Sequence, residues 1–381
     1  MPGDEARVLI IGGGAAGLSA AAALARHSIQ ATVLDQDEHI GDSWSRRYQS
    51  LKLHTIRRYS GLAHYPIPGD RPRYLTKDEY AAYLKEYAQA LKLGVSTGER
   101  VAAVRKLPES AGDAGWEVTT NHGVRHAKVV VIATGQCTEP RLPSFDGMET
   151  FSGQVLHSAD YTSGAEYKRQ RALVIGLGNS GAEIAADLAA QGASSVSISV
   201  RTPPPIVTRE MLGIIPVQLL GIALTPLGMP RVVDRIGAIL RRFSLGDLTR
   251  HGLGEAAWGP FSARRPAVID AGFVRQLKQG HIAIRPTIAR FDSTSVLYSN
   301  GSSEEIDVVV AATGFRTGLE KFLNVPGVID DEGRPRFRSG GPTSEPGLFF
   351  IGFDETIRGQ LFEINQESKR LAVNIKRYLE K

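Results

Sequence analysis

The sequence predicts an α/β fold. A short β-branched run, RVLII, is followed by a glycine turn, an alanine-rich helix former and a second buried run, ATVLDQ. The same order recurs between residues 171 and 201 as RALVIGLG, NSGAEIAADLAAQG and SSVSISVR. Units of this kind form doubly wound parallel sheets, and the alternating runs that follow each unit predict extra antiparallel strands. We therefore expect two dinucleotide-binding (Rossmann-like) domains with inserted small antiparallel sheets.

Length and composition agree with a two-domain globular enzyme. The chain has 381 residues, of which 42% are hydrophobic and 22% charged. The net charge of +5 is spread along the chain without a basic tail, so we expect no nucleic-acid partner. A single cysteine, Cys137, excludes a disulfide framework, a CxxC pair and a cysteine-rich metal site. We expect a cytoplasmic protein without a metal site, and the N-terminus lacks the features of a signal peptide. The oligomeric state is not indicated.

The elements between and after the two units predict where the domains divide. A tyrosine-rich helix and the strands RVAAVRKL, GWEVTTN and VRHAKVVVIAT follow the first unit, and a second meander ends in VVVAAT. The strand GLFFIGFDE then needs neighbours, so we expect it to rejoin the first sheet before a closing helix. We predict an FAD-binding domain of residues 1–150 plus 315–381. An NADPH-binding domain of residues 151–314 includes a helical, lid-like segment, 205–265.

The lid-like segment admits two interpretations. Residues 211–230 form an uncharged run as long as a membrane-spanning helix, but its three prolines and three glycines argue against such a helix. The following RVVDRIGAILRR is a basic amphipathic helix, which suits either a membrane surface or a lid over an apolar pocket. Composition favours the lid, so membrane-surface contact is the less favoured interpretation.

The first glycine motif, IGGGAAG, stands between a strand and a helix. Gly12 allows a tight turn, Gly14 lets a pyrophosphate approach the backbone, and Gly17 lets helix and strand pack closely. Asp35 ends the next strand, where a carboxylate accepts hydrogen bonds from a ribose diol. This half therefore predicts an adenosine without a 2′-phosphate.

The second motif is IGLGNSG, with Gly176, Gly178 and Gly181 at a strand-to-helix junction. Its second strand ends in Arg201 instead of an acid. An arginine at this position suits the 2′-phosphate of NADPH, although Arg201 also suits a solvated strand end. We favour NADPH over NADH.

Two dinucleotide sites in one chain suggest that hydride passes from nicotinamide to a flavin, so FAD is the expected occupant of the first site. Two ATG segments support this interpretation, since Gly135 and Gly314 each close a β-branched run. Small residues there let the chain pass close to a cofactor or to the other domain.

The motifs also carry a family resemblance. The order GGGAAG, ATGQCTEPRLP, FSGQVLHSADY, GLGNSG, ATGF and GLFFIGF resembles the class B flavoprotein monooxygenases over nearly the whole chain. These include flavin-containing monooxygenases and Baeyer–Villiger monooxygenases. The family signature F-x-G-x-x-x-H-x-x-x-Y falls on Phe151, Gly153, His157 and Tyr161. Baeyer–Villiger relatives usually have tryptophan at the position of Tyr161, so the flavin-containing monooxygenase branch is favoured.

Within that branch, three segments look like the YUCCA group, which oxidatively decarboxylates indole-3-pyruvate: SWSRRYQSLKLHT, RTPPPIVTREMLG and RRPAVIDAGFVRQLKQGHIAI. Many other flavin monooxygenases have an asparagine near the flavin where this chain has His54. The resemblance therefore makes His54 the one candidate catalytic residue. Asp35 replaces the more frequent glutamate, and HIGDSW replaces a more frequent doubled glycine.

The resemblance implies a mechanism in which NADPH reduces FAD, O2 adds to form a C4a-peroxyflavin, and one oxygen atom passes to a small organic substrate. An aryl-pyruvate-like 2-oxo acid or a soft nitrogen or sulfur nucleophile is expected. The predicted FAD contacts are Gly12, Gly14, Gly17, Asp35, Trp44, Val101, Gly135, Gly352 and Phe353. The predicted NADP contacts are Gly176, Gly178, Asn179, Ser180, Gly181, Arg201, Thr313 and Gly314.

Other functions remain open at this point. A flavin disulfide reductase or NAD(P)H oxidase shares the two-dinucleotide architecture, but the chain has no CxxC and does have the F-x-G-x-x-x-H-x-x-x-Y segment. A Baeyer–Villiger monooxygenase and a flavin-holding redox sensor without turnover are further alternatives. Within the signature, we expect His157 to be a structural anchor of the interdomain connector and not a proton-transfer residue.

Overall fold

The structure is a computed structural model that describes residues 5–108, 115–211, 214–225, 228–354 and 356–381. Residues 212, 213, 226 and 227 of the predicted lid-like segment lie outside the described residues, as do residues 1–4, 109–114 and 355 of the predicted FAD-binding domain.

The first part of the chain forms strands and helices in the order β1 (Glu5–Ile11), α1 (Ala15–Ala25), β2 (Thr32–Leu34), α2 (Asp42–Ser45), α3 (Arg57–Ser60), α4 (Lys77–Ala90), β3 (Gly94–Ser96), β4 (Val101–Lys106), β5 (Trp116–Thr120), β6 (Gly123–Ile132) and β7 (Glu139–Pro140). The second begins with β8 (Gln154–His157), β9 (Arg171–Ile175), α5 (Asn179–Gln191) and β10 (Ser195–Ser199).

The lid-like segment and the C-terminal part complete the described elements. They are β11 (Ile206–Thr208), β12 (Glu210–Met211), β13 (Ile215–Pro216), α6 (Val217–Leu224), α7 (Pro230–Leu245), α8 (Pro260–Ala263), β14 (Val268–Asp270), α9 (Phe273–Lys278), β15 (Ile282–Arg285), β16 (Ile288–Phe291), β17 (Ser295–Tyr298), β18 (Ser303–Glu305), β19 (Val308–Ala311), β20 (Phe315–Arg316), β21 (Leu348–Phe350) and α10 (Gln360–Leu379).

The first sheet is buried on both faces. Strands β3, β2, β1 and β6 are parallel neighbours in that order. Along β1, Val8 and Ile10 pack into the cluster that contains α1, α4 and α10, whereas Leu9 and Ile11 pack with Trp116 on the other face. Alternate residues thus serve two cores, which explains why the strand reads as a continuous apolar run.

The antiparallel strands of the first half are not a separate sheet. Strand β6 is long enough to pair with β1 along one edge and with two strands along the other. Residues Gly123–Ala127 pair with β5, which in turn pairs with β4, and residues Val130–Ile132 pair with β21. The expected insertion is therefore an extension of the parallel sheet that shares β6.

The second sheet repeats this plan. Its order is β15-β10-β9-β19-β8, with all neighbours parallel. Strands β16, β17 and β18 form a separate antiparallel sheet after it. The predicted α/β class with two nucleotide-binding folds is confirmed. The pairing of β21 with β6 returns the C-terminal part of the chain to the first sheet, whereas the domain limits themselves stay a prediction.

Candidate functional site

The first glycine turn lies between β1 and α1. Gly12 has φ +108°, a region that favours glycine, and an added Cβ would lie 2.6 Å from the Ala133 carbonyl oxygen. A Cβ on Gly17 would lie 1.9 Å from the Gly12 oxygen, so helix and strand are packed closely. A Cβ on Gly14 would meet nothing within 4 Å. The N-terminus of α1 is therefore open to a ligand, and its backbone N–H groups favour an anion.

Asp35 follows β2 and lies against this turn. A Cβ on Gly13 would lie 2.3 Å from Asp35 Oδ2, so the carboxylate faces the glycine backbone directly. The Asp37 N–H donates to Asp35 Oδ1 at 3.2 Å. Burial, only partly offset by this hydrogen bond, raises the pKa of Asp35 to about 6. The carboxylate is thus ionised at neutral pH and retains acceptor capacity.

The second glycine turn has the same geometry. Gly176 has φ +98°, and a Cβ on Gly181 would lie 2.0 Å from the Gly176 oxygen. A Cβ on Gly178, which precedes α5, would again meet nothing within 4 Å. Arg201 follows β10 as an exposed side chain, and the described residues offer it no hydrogen bond or ion pair. This unit therefore also has an open helix N-terminus and, near its second strand, a free cation.

A buried acid connects the two units. Glu183 lies on α5, and its Oε1 is 2.9 Å from Nε2 of His54. Its Oε2 accepts the hydroxyl of Tyr48 at 2.9 Å. Burial and the Glu183 carboxylate raise the pKa of Tyr48, so the phenol keeps its proton. His54 Nδ1 is buried and has no partner among the described residues. One carboxylate thus contacts two side chains of the first unit and leaves one His54 nitrogen free.

The connector FSGQVLHSADY is fixed at its signature residues. A Cβ on Gly153 would lie 2.5 Å from the ring of Phe151, so only glycine leaves room for this ring. His157 Nδ1 accepts the Ala159 N–H at 3.1 Å, so its Nε2 donates to the Gly314 carbonyl at 3.0 Å. Burial lowers the pKa of His157, which agrees with a neutral ring. The imidazole therefore joins the connector to the second ATG segment with both nitrogens occupied.

Tyr161 closes the same connector against α5. Its hydroxyl donates to Asp187 Oδ2 at 2.7 Å, and that oxygen also accepts the Gly164 N–H at 2.8 Å. The ring stacks on Tyr167 with 5.8 Å between centroids. These contacts give Tyr161 a packing and hydrogen-bonding role within the second unit.

A cavity of about 1490 Å³ is lined by residues of both units and of the lid-like segment. It is larger than the 300 to 1,000 Å³, roughly, of a typical ligand pocket. Helix α7 contributes Val232, Ile236 and Leu240 to its lining, although these side chains are 40 to 54% exposed. The cavity thus has room for a dinucleotide together with a second molecule, and an apolar helix borders it.

The structure brings some of the predicted site residues to the cavity and leaves others outside its lining. Those that line it are Gly14, Trp44, His54, Gly135, Asn179 and Gly352. Those outside it are Gly12, Gly17, Asp35, Val101, Gly176, Gly178, Ser180, Gly181, Arg201, Thr313, Gly314 and Phe353.

Several of the residues outside the lining have evident structural contacts. Val101 is the first residue of β4 and packs, partly buried, against the hydrophobic core. The Thr313 hydroxyl donates to the Arg141 carbonyl, and Gly314 accepts from His157. Phe353 accepts at its carbonyl from the Gln136 side chain at 2.8 Å. These residues make packing contacts or hydrogen bonds between chain segments. Their predicted contacts with the cofactors stay predictions.

Sequence reasoning missed two features of the site. Glu183 is a buried acid in the alanine-rich helix α5, and an acid on an apolar helix face was the signal available for it. Thr134, in the first ATG, lines the cavity, and its buried hydroxyl has no partner among the described residues. Such an orphaned hydroxyl beside an open glycine turn fits a site that a bound group completes.

Residues 5–326 match the family described as flavin-binding monooxygenase-like. The chain belongs to this family. The indole-3-pyruvate monooxygenase YUCCA1 of Oryza sativa subsp. japonica is 34% identical over 369 residues, which cover 93% of this chain and 87% of the relative. The predicted resemblance is thus confirmed, and the chain is an oxidoreductase of the flavin monooxygenase type. FAD and NADPH are the cofactors typical of the family.

Two solved structures show the same fold. A flavin-containing monooxygenase from Stenotrophomonas maltophilia has a TM-score of 0.78 and 23% identity, with 99% of each chain covered. An open structure of cyclohexanone monooxygenase has a TM-score of 0.75 and 18% identity, and covers 98% of this chain and 88% of that one. Among the residues of this chain that the structure describes, no helix is both long enough and apolar enough to cross a bilayer.

Proposed function

We propose that the protein is an NADPH-dependent FAD monooxygenase that transfers one atom of O2 to an aryl-pyruvate-like 2-oxo acid, which loses CO2. The observation that carries this proposal is a shared cavity, which Gly14 and Gly135 of the first unit border together with Asn179 of the second. Two nucleotide units that meet at one space suit the passage of hydride from one cofactor to another. The name of the 34% identical relative supports the substrate class.

The residues of the first unit fit FAD. The open N-terminus of α1 at Gly14 would receive the pyrophosphate, and the ionised Asp35 would accept the ribose hydroxyls. The unpartnered Thr134 hydroxyl and the His54 Nδ1 atom are buried at the cavity and would gain partners. Trp44, held at 4.7 Å from the Tyr80 ring, would pack beside the bound group.

The residues of the second unit fit NADPH. The N-terminus of α5 at Gly178 is open in the same way as that of α1. Arg201, which has no protein acceptor within the described ranges, would bind the 2′-phosphate. Asn179 lines the cavity while its Oδ1 accepts the Ile269 N–H at 2.8 Å, so its side chain is already oriented.

The overall reaction balances without a metal or a protein nucleophile. A 2-oxo acid anion, O2, NADPH and a proton give the acid shortened by one carbon, CO2, NADP⁺ and water. The flavin, when bound, supplies the two-electron chemistry that activates O2. The chain itself binds and orients both cofactors, excludes water with the lid-like segment and places His54 beside the reacting groups.

His54 would act through a fixed ring. Its Nε2 lies 2.9 Å from Oε1 of Glu183, a contact that orients the ring. The buried, unpartnered Nδ1 of this cavity-lining residue would then contact flavin or substrate. Glu183 is a positioning residue in this arrangement, because it reaches the cavity only through His54.

A substrate panel tests the proposal. The purified holoenzyme is given NADPH and, in separate reactions, phenylpyruvate, indole-3-pyruvate, a tertiary amine, a thioether and cyclohexanone. We expect bound flavin, reduction of that flavin by NADPH, and an arylacetic acid from the two 2-oxo acids. A sulfoxide or N-oxide as the main product would move the substrate class to soft nucleophiles, and a lactone would indicate Baeyer–Villiger chemistry. Absence of bound flavin would refute the proposal.

A further inference from the structure

The cavity contains an arginine that the protein leaves without an acceptor. Arg209 follows β11 and lines the cavity. Its Nε atom is buried without a hydrogen-bond partner, and the described residues provide none of its guanidinium nitrogens with an acceptor. The guanidinium lies over the Tyr74 ring, with Cζ at 5.0 Å from the ring centroid. A buried donor without an acceptor is unfavourable, so this group is suited to an anionic ligand.

The acid next to it in sequence is already engaged. Glu210 Oε1 lies 2.8 Å from Arg73 Nη1 and also accepts the Tyr74 hydroxyl at 3.1 Å. Tyr74 therefore has its hydroxyl tied to Glu210 and its face under Arg209. This arrangement places the guanidinium over the Tyr74 ring without using its N–H donors.

Other arginines of the cavity differ from Arg209. Arg46 is paired with Asp37, and Arg47 Nε donates to the Ser43 carbonyl. Arg235 and Arg265 are exposed to solvent, which satisfies their donors, and the half-buried Arg241 has no nitrogen that is both fully buried and without a partner. Of the arginines that line the cavity in the described ranges, Arg209 alone has a buried nitrogen without a partner.

Arg209 and His54 both line the cavity, and Tyr74 connects their segments. Tyr74 precedes Leu75, whose carbonyl accepts the N–H of Leu53 at 2.8 Å, and His54 is the next residue. The same cavity is also lined by apolar residues of β11, α6 and the segment between them: Val207, Met211, Val217, Leu220 and Leu224. The cavity thus combines the unpartnered Arg209 guanidinium with apolar side chains, which matches an aromatic carboxylate better than an amine.

We propose that Arg209, held on Tyr74, binds the substrate carboxylate, while the apolar side chains of α6 receive the aromatic part. This assignment rests on the proposed function and names the recognition residue within it. The planar guanidinium offers two parallel N–H donors, which suit the two oxygens of a carboxylate. The interaction is made with the ground-state carboxylate that later leaves as CO2, so it contributes to binding more than to the rate of the chemical step.

The test compares Arg209→Gln with Arg231→Gln in the holoenzyme. Arg231 lies exposed on α7, does not line the cavity and carries the same charge, so it controls for the loss of one cation. Binding of indole-3-propionate and of its neutral amide is followed by the perturbation of the flavin absorbance. From the strength of charged hydrogen bonds, we expect Arg209→Gln to lower the affinity for the carboxylate by about 10- to 100-fold. The affinity for the amide should fall by less than about 3-fold. Arg231→Gln should bind both probes as the wild type does.

Turnover gives a second readout. With phenylpyruvate, Arg209→Gln should raise KM by a similar factor, about 10- to 100-fold, and change kcat by less than about 3-fold. The variant Arg209→Lys retains the charge without the fork, so its carboxylate affinity should be intermediate. If both variants lose flavin or fail to fold, the role of Arg209 is structural and the assignment is overturned.

The outcomes separate this assignment from the proposed function. Unchanged carboxylate binding by Arg209→Gln, in an enzyme that still oxygenates 2-oxo acids, overturns the assignment alone. A weakened affinity for NADP⁺ with unchanged carboxylate binding would assign Arg209 to the dinucleotide instead. A wild-type enzyme that binds the amide as tightly as the carboxylate, and that forms no arylacetic acid, would refute the proposed substrate class itself.

Discussion

Nε2 of His54 lies 2.9 Å from Oε1 of Glu183, across the space between the two nucleotide-binding units. His54 belongs to the chain that follows the first glycine turn, and Glu183 lies in the first helix after the second. Tyr48 donates to the other oxygen of Glu183. Glu183 therefore joins the second unit to two side chains of the first, beside the cavity that His54 lines.

Replacing Glu183 tests this coupling. Glu183→Gln keeps an acceptor for Tyr48 but removes the charge that His54 contacts. Misplacement of a catalytic group has a large kinetic effect, so we expect flavin reduction by NADPH to slow by about 10- to 100-fold while flavin remains bound. Stopped-flow absorbance measures the rate, with the exposed acid variant Glu166→Gln as the control. A wild-type rate in Glu183→Gln would show that the contact has no role in positioning.

The affinity for FAD should depend on pH through Asp35. Burial raises the pKa of this carboxyl to about 6, and only the ionised form accepts from both ribose hydroxyls. As pH falls from 8 to 5, protonation of free Asp35 should weaken FAD binding by about tenfold. Titration of the apoenzyme with FAD at each pH measures this effect. Asp35→Asn should bind FAD weakly, with an affinity that does not change with pH. A flat profile in the wild type would remove Asp35 from the ribose site.

The preference for NADPH should depend on Arg201. Loss of its charged hydrogen bonds in Arg201→Gln should raise KM for NADPH by about 10- to 100-fold and leave KM for NADH within about 3-fold. Initial rates of flavin reduction with the two cofactors measure the split, and Arg231→Gln is the charge-matched control. Equal losses with both cofactors would show that Arg201 does not bind the 2′-phosphate.

Stability should vary with pH through Glu367 on α10. This side chain is 1% exposed, its Oε2 accepts the Gly352 N–H at 2.9 Å, and burial raises its pKa from 4.5 to about 7. The folded state therefore holds the proton more tightly, and stability from this group falls as pH rises from 4.5 to 7. Between pH 4.5 and 7, the free energy of unfolding of Glu367→Gln should rise by about 3 kcal/mol relative to that of the wild type. Urea unfolding at both pH values measures it, and a constant difference would contradict the prediction.

The parallel sheets and glycine turns could be predicted from the sequence because their causes are local. Gly12 and Gly176 each stand between a β-branched run and a helix former, and both adopt the positive φ that the turn requires. The extension of the first sheet through β6 was less evident. On one edge of β6, five residues pair with β5 and three pair with β21, and strand pairing of that kind leaves no periodic signal.

The site was predictable only where a motif marks it. Gly14, Trp44 and His54 were predicted and do line the cavity. The contact of His54 with Glu183 joins residues that are distant in sequence, so no local pattern reports it. Arg209 is a candidate only because no side chain accepts from its buried Nε, and its neighbour Glu210 is paired with Arg73 instead. Such properties exist only in the folded chain.

The fate of molecular oxygen tests the central claim most directly. The holoenzyme turns over phenylpyruvate with NADPH under ¹⁸O2, and mass spectrometry follows the phenylacetate while NADPH, CO2 and peroxide are quantified. The proposed function predicts one ¹⁸O atom in each phenylacetate and one CO2 for each NADPH oxidised. NADPH oxidation that yields hydrogen peroxide without labelled phenylacetate, for every substrate in the panel, would contradict it and identify an oxidase.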